Sequence, residues 1–204
     1  MAVRRILAAV LILSGAALTG TTLRHYARGF EARREARRAF ATRLDVRSVS
    51  PALPAIPAGR TLPRDTYPLG QPIAWLLVPS AQIDAIVFGG SDPGTLEKGP
   101  GHVPGTELPG RRTGLNNCVI TAHRDADFRN LGRLRKGERV ELTTTEGRES
   151  YRVVSRDVVD PADVAVLAPT PSPRLTLITC YPFSFIGHAP KRLVVVAEPD
   201  AFAP

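Results

Sequence analysis

Residues 175–180, with the sequence LTLITC, form a run of apolar and β-branched side chains that ends in a cysteine. Such a run is typical of a buried β-strand. Pro182, Gly187 and Pro190 follow and interrupt the pattern, so the thiol of Cys180 is predicted to lie where a strand gives way to a loop. Catalytic groups are common at such positions. Cys180 is therefore the first candidate for a catalytic residue.

A second β-rich run, NNCVITAH, ends at His123. Successive side chains of a strand point to opposite faces, so Cys118 shares a face with Ile120 and points away from His123. Cys118 is therefore interpreted as a small buried hydrophobic residue. The same alternation allows Cys180 to meet Arg192, which begins the run RLVVVAE, across neighbouring strands.

The basic charge of the chain is concentrated near its N-terminus. The formal net charge is +8, and residues 1–50 carry +7 of it, from 10 Arg and 3 acidic residues. The remainder is nearly neutral and has no basic stripe interleaved with aromatic residues, which argues against nucleic-acid binding. Two cysteines make no disulfide framework and show no metal-ligand spacing with the four histidines. We therefore predict no metal, no cofactor and no nucleic-acid partner.

The N-terminal part divides into four segments by composition. Residues 1–5 are a basic flank, and residues 6–23 form an uncharged run near the minimum length of a transmembrane anchor. A cleaved signal peptide is the alternative, because the run has a basic flank and small residues at its end. Residues 24–47 predict a basic juxtamembrane helix, with Phe40 on its apolar side, that rests on anionic lipid or serves as a solvated spacer. Residues 48–72 contain six prolines and predict an extended linker.

Residues 73–204 contain short β-rich runs separated by Gly, Pro and acidic turns, and no long helical period interrupts them. Many short strands at this spacing predict an all-β domain that forms a closed or nearly closed barrel. Short helical turns are expected around residues 91–97, 128–133 and 160–168, and Asp160 is expected to cap the last of these.

Cysteine, histidine and arginine together are suited to acyl transfer. A neighbouring cation favours the thiolate of Cys180, which is the attacking species. His123 can protonate a leaving amine and later deprotonate an incoming one. Arg192 can hold the developing oxyanion. Each residue also has an ordinary structural explanation, as a core thiol, a polar strand end and a surface charge.

These residues resemble a sortase of the class D type. LTLITC resembles the family's nucleophile motif TLxTC, and CYPFSFIGHAPKR resembles the class D segment that leads to the active-site arginine. VITAHRDADFRNLGRLRKGERVELTT resembles the block around the catalytic histidine. The resemblance covers about residues 73–198 and implies a sortase-type eight-stranded β-barrel, preceded here by the predicted N-terminal membrane helix.

The resemblance also implies roles for single residues. Cys180 corresponds to the nucleophile, His123 to the general acid and base, and Arg192 to the residue that positions the oxyanion or the substrate. Thr179, just before the nucleophile, is a weaker candidate for contact with the substrate backbone. His188, in the loop between Cys180 and Arg192, is another weaker candidate for substrate contact.

The reaction implied by the resemblance is cleavage of a surface protein at an LPXTG-like sorting signal. A thioacyl intermediate on Cys180 is then resolved by an amine acceptor, from a cell-wall precursor or a protein subunit. The resemblance places the barrel outside the cytoplasmic membrane, on a single-pass anchor, with membrane lipid contacted through residues 6–44. The arginine count on either side of the span favours the cytoplasm instead. The alternatives are a weak or inactive membrane-tethered peptide-binding barrel and a Cys-dependent peptide hydrolase.

Overall fold

Eight strands close into a barrel in this computed structural model, which describes residues 11–16, 18–20, 31, 34–42, 67, 69–111, 114–185 and 187–200. The strands are β1 (Pro72–Val78), β2 (Ile83–Gly89), β3 (Gly101–His102), β4 (Asn117–Thr121), β5 (Arg139–Thr143), β6 (Arg148–Val159), β7 (Arg174–Tyr181) and β8 (Lys191–Pro199). Their order around the barrel is β1-β2-β3-β4-β7-β8-β6-β5, and β5 pairs with β1 to close it. The predicted all-β, eight-stranded architecture is confirmed.

The barrel interior is filled by one face of each strand, as the alternation of side chains requires. Cys118 and Ile120 of β4, Leu175 and Leu177 of β7, and Val195 of β8 all belong to this central cluster and are at most 4% exposed. The prediction that Cys118 is a buried apolar residue is therefore confirmed.

Strand β3 is the one strand that the sequence pattern missed. It has only two residues, Gly101 and His102, which pair with β2 on one side and with β4 on the other. A two-residue strand is too short to show an alternation of apolar and polar side chains.

Short helices lie in the three expected regions, at Pro93–Leu96, Leu131–Arg133 and Val164–Leu167. A further 3₁₀ helix, Pro79–Ala81, was not expected. The expected cap of the third helix was wrong, because Asp163 and not Asp160 accepts a hydrogen bond from its first turn, at the Ala165 amide. Asp160 accepts instead from the amide of Ala162, one turn earlier.

The chain joins the barrel before the predicted boundary at residue 73. Strand β1 begins at Pro72, and Tyr67 packs against the central cluster. The guanidinium carbon of Arg111 lies 5.6 Å from the centre of the Tyr67 ring, a cation–π distance that ties this approach to the barrel wall. Residues 48–66 and 68 of the predicted linker lie outside the described residues.

A helical segment at residues 34–42, the docked helix, rests on the outside of the barrel. Phe40 is 1% exposed and packs with Ile86 and Phe88 of β2, beside Trp75 of β1. Arg37 of the same helix donates from Nη1 to Asp84 Oδ2 at 3.3 Å. An apolar patch on the same chain therefore buries Phe40, a contact that the two interpretations of this helix, on anionic lipid or as a solvated spacer, did not include.

Residues 1–10, 17 and 21–30, which include much of the predicted membrane anchor, lie outside the described residues. Residues 11–16 and 18–20 are helical, and their leucine and isoleucine side chains are about 70% exposed. Among the helices of the described ranges, none combines the length and the hydropathy that a bilayer span requires.

A cleft of about 330 Å³ separates the docked helix from the barrel. Its lining carries charges of both signs, from Arg34, Arg37, Asp84, Lys98 and Asp127. Neither Cys180, His123 nor Arg192 lines it. This cleft therefore lies apart from the three predicted catalytic residues.

Candidate active site

The parallel pairing of β4 with β7 brings His123 to the predicted nucleophile. Thr121 of β4 is the register partner of Ile178 of β7, and the amide of Ala122 donates to the Ile178 carbonyl at 3.2 Å. Continuing this register by two residues sets His123 level with Cys180. Both side chains therefore lie at the carboxyl end of their strands, at one end of the barrel.

The antiparallel pairing of β7 with β8 brings Arg192 to the same place. Cys180 and Arg192 are direct register partners, two residues beyond the pair formed by Ile178 and Val194. Partners that face each other across neighbouring strands have their Cβ atoms about 5 Å apart. The predicted meeting of Cys180 with Arg192 across neighbouring strands is present in the structure.

The two cysteines lie in opposite environments. Cys180 is partly exposed at the end of β7, whereas Cys118 is 4% exposed inside the barrel. Burial raises the pKa of the Cys118 thiol, and the charges of Glu149 and Glu107 raise it further. Since the thiolate is the nucleophilic form, Cys118 is chemically inert in the folded chain, and Cys180 is the accessible thiol.

The guanidinium of Arg192 is anchored to backbone carbonyls beside the site. Its Nη1 donates to the carbonyl of Lys191 at 2.9 Å and to that of Ala189 at 3.2 Å. The side chain is part-buried, so its charge is held at the rim of the site. An arginine held in this way presents a fixed positive charge next to the thiol.

The backbone of His123 is fixed by the turn that follows it. Its carbonyl accepts hydrogen bonds from the amides of Ala126, at 3.3 Å, and Phe128, at 3.2 Å. Phe128 is fully buried in the central cluster and anchors that turn. The imidazole is exposed, so a substrate can reach it.

The two weaker candidates for substrate contact, Thr179 and His188, differ in their exposure to solvent. Thr179 is 1% exposed, and its hydroxyl donates to the carbonyl of Ala122 at 2.8 Å. Its side chain therefore links β7 to β4 next to His123, and contact of Thr179 with the substrate backbone stays a prediction. His188 is exposed in the loop between β7 and β8, where the sequence placed it.

An apolar cluster on the outer face of the barrel adjoins the three residues. It consists of Val119 of β4, Ile178 of β7 and Val194 of β8, each at most 8% exposed. Strand alternation puts Ile178 on the face of Cys180, two residues away. Val166 and Leu167, from the helix before β7, pack over this cluster. The outer face of the barrel beside the site is therefore apolar.

Asn117, which the sequence analysis did not single out, holds the covering segment in place. It is fully buried, and its amide nitrogen donates to the carbonyls of Val166, at 3.0 Å, and Ala168, at 2.9 Å. Its oxygen accepts from the hydroxyl of Thr176 at 2.7 Å and from Nε of Arg174 at 3.2 Å. Each of these hydrogen bonds joins residues that lie far apart in the sequence, so no local sequence pattern predicts them.

In a comparison with models of known protein families, the model of the sortase domain matches residues 76–200 of the chain. The chain belongs to the sortase family. The matched span contains strands β2 to β8 and the last three residues of β1, and it includes His123, Cys180 and Arg192.

Individual sortases resemble the chain over the same region. Sortase D of Bacillus subtilis is 34% identical over 130 residues, which cover 63% of this chain and 64% of that protein. This similarity supports the class D type. The chain spans slightly under two thirds of that relative's length. The structure of the Clostridium perfringens Sortase D5 transpeptidase has a TM-score of 0.59 at 25% identity, and covers 66% of this sortase and 82% of that chain. A lid mutant of Sortase A from Corynebacterium diphtheriae has a TM-score of 0.59 at 28% identity. The match covers 82% of this sortase and 95% of that chain.

Alkylation of the native protein should distinguish the two thiols. Iodoacetamide is expected to modify Cys180 and to leave Cys118 unmodified from about pH 7 to about pH 10, because the buried thiol keeps its proton where an ordinary thiol ionises. Peptide mapping by mass spectrometry measures both sites, and alkylation in denaturant shows that both peptides are detectable. Equal modification of Cys118 in the native state would contradict this account.

Proposed function

We propose that this sortase is a membrane-anchored cysteine transpeptidase that cleaves an LPXTG-like sorting signal and transfers the surface protein to an amine acceptor. The observation that carries the proposal is the register of three strand ends. Cys180 faces Arg192 directly across β7 and β8, and the β4–β7 register sets His123 level with them. These are the nucleophile, the proton carrier and the cation that acyl transfer requires.

In the first half-reaction, the Cys180 thiolate attacks the carbonyl carbon of the bond after the threonine of the signal. The carbonyl oxygen gains a negative charge, which the guanidinium of Arg192 stabilises. When the C–N bond breaks, protonated His123 gives its proton to the leaving amine. The products are a thioester on Cys180, a neutral His123 and the released C-terminal fragment.

In the second half-reaction, the acceptor amine attacks the thioester carbon. His123 takes a proton from the amine, and the Cys180 sulfur leaves as a thiolate. A new amide bond joins the surface protein to the acceptor, and the starting charges of both side chains are restored. The acceptor class proposed is an amine of a cell-wall precursor or of a protein subunit.

The apolar surroundings of the site support a peptide substrate with apolar residues before the cleaved bond. Val119, Ile178 and Val194 form a buried apolar cluster beside Cys180 and Arg192, and the partly buried side chains of Val166 and Leu167 pack over it. The apolar leucine and proline of an LPXTG-like signal suit contact with these partly exposed side chains.

Amine-dependent ligation by the purified full-length chain tests the proposal. With an LPXTG-like peptide and an amine acceptor, we expect a ligated product, and Cys180→Ala should lower its rate more than about a thousandfold, because the acyl carrier is lost. Cys118→Ala is the matched control and should retain the parent's rate, since its thiol lies inside the barrel. Mass spectrometry of the products is the measurement. Ligation by Cys180→Ala at the parent's rate contradicts the proposal, and hydrolysis without ligation supports the peptide-hydrolase alternative.

We further propose that residues 6–23 anchor the chain and that the barrel lies outside the cytoplasmic membrane, where sorting signals are presented. The exposed apolar side chains at Leu11, Ile12, Leu13 and Leu18 support a helix that meets lipid. Protease added to intact spheroplasts is expected to digest the barrel, and a cytoplasmic protein serves as the protected control. Digestion of the barrel only after lysis would contradict this orientation.

A further inference from the structure

The loop between β7 and β8, the β7–β8 loop, connects Cys180 to Arg192, and the structure describes its residues 182–185 and 187–190. It is fixed at its start. The ring of Phe183 lies edge-on to that of Tyr181, with centroids 6.0 Å apart. The same ring packs directly on Gly132, where a Cβ atom would come within 2.6 Å of it. The first residues of the β7–β8 loop are therefore held by close packing.

The middle of the β7–β8 loop is held by one side chain from the opposite side of the site. Arg124 immediately follows His123, and its Nη2 donates to the carbonyl of Phe185 at 2.7 Å and to that of Gly187 at 2.8 Å. Hydrogen bonds from a charged donor are about twice as strong as neutral ones. Arg124 therefore clamps the β7–β8 loop against the turn that carries His123.

The end of the β7–β8 loop touches the other cation of the site. Nη1 of Arg192 donates to the carbonyl of Ala189, which belongs to this loop. A continuous set of contacts thus runs from Arg124, through the carbonyls of Phe185 and Gly187, along the backbone to Ala189 and on to Arg192.

We propose that Arg124 is a positioning residue of the reaction: it fixes the β7–β8 loop and, through that loop, the place of the Arg192 guanidinium relative to Cys180. This proposal rests on the proposed transpeptidase function. Arg124 does not touch the reacting atoms. Arg124 lies in the turn that begins at His123, and it binds the loop that leads to Arg192. It therefore sets the distance between the part of the site that carries His123 and the part that carries Arg192.

The surroundings of Arg124 favour a functional role over a purely stabilising one. Among the described residues, its Nη1 is buried and has no hydrogen-bond partner. A buried donor without a partner costs stability, and such exceptions in folded proteins call for an explanation. Both carbonyls accept from the single nitrogen Nη2, whose two N–H groups lie in the fixed plane of the guanidinium.

The proposal is tested by kinetics on the full-length chain with Arg124→Gln, Arg124→Lys and the control Arg129→Gln. Arg129 is exposed, and its Nε donates within its own turn, to the carbonyl of Ala126 at 3.2 Å. Arg124→Gln is expected to lower kcat for ligation about ten- to hundredfold, since small misplacement of a catalytic group has effects of this size. KM should stay within about threefold, because Arg124 is not part of the apolar cluster beside the site. Arg124→Lys should recover part of kcat, and Arg129→Gln should match the parent.

Hydrogen exchange of the β7–β8 loop gives a measurement that does not depend on activity. The amides of residues 183–185 and 187–189 should exchange faster in Arg124→Gln than in the parent, with an intermediate effect in Arg124→Lys and none in Arg129→Gln. If Arg124→Gln fails to fold, Arg124→Lys decides the question by the same two measurements. Parent-like kcat in the Arg124 variants, or unchanged exchange of the loop, would overturn the proposal. If instead the parent ligates no LPXTG-like peptide, the proposed function fails while the exchange result still reports on the clamp.

Discussion

The parallel pairing of β4 with β7 is the constraint on which the candidate site depends. Parallel neighbours cannot be joined by a tight turn, so the chain between them makes a long excursion through β5 and β6. In return, both strands end on the same side of the barrel, with His123 after one and Cys180 at the end of the other. The antiparallel return of β8 then places Arg192 opposite Cys180. A shift of one residue in either pairing would turn one of these side chains to the barrel interior.

Two loops border the site, and each is tied by one side chain near an end of β4. At the start of β4, buried Asn117 binds the carbonyls of the segment that covers the apolar cluster. Just beyond its end, Arg124 binds the carbonyls of the β7–β8 loop. Loops carry function in many folds because a rigid scaffold can present them in a fixed place. Here strand β4 supplies that scaffold for both segments.

Strand alternation was enough to predict the inward Cys118, the outward Cys180 and the meeting of Cys180 with Arg192, because a period of two leaves only two faces. The β-rich runs likewise predicted the barrel, apart from the two-residue β3. The remaining features depend on contacts between distant segments. Asn117, Arg124 and the docking of Phe40 on β2 are single side chains whose partners lie far along the chain, and no local pattern marks such residues. The sequence left the helix that contains Phe40 between anionic lipid and solvent, because its composition fits either surface.

The central claim is that Cys180 carries the acyl group between two substrates. Its most direct test is to mix the full-length chain with an LPXTG-like peptide in the absence of any amine, stop the reaction in acid and measure the intact mass. The account predicts a mass increase equal to the peptide fragment that ends at threonine, mapped to the peptide containing Cys180 and abolished by added amine. Peptide cleavage without any adduct on Cys180, or an adduct on Cys118, would contradict it.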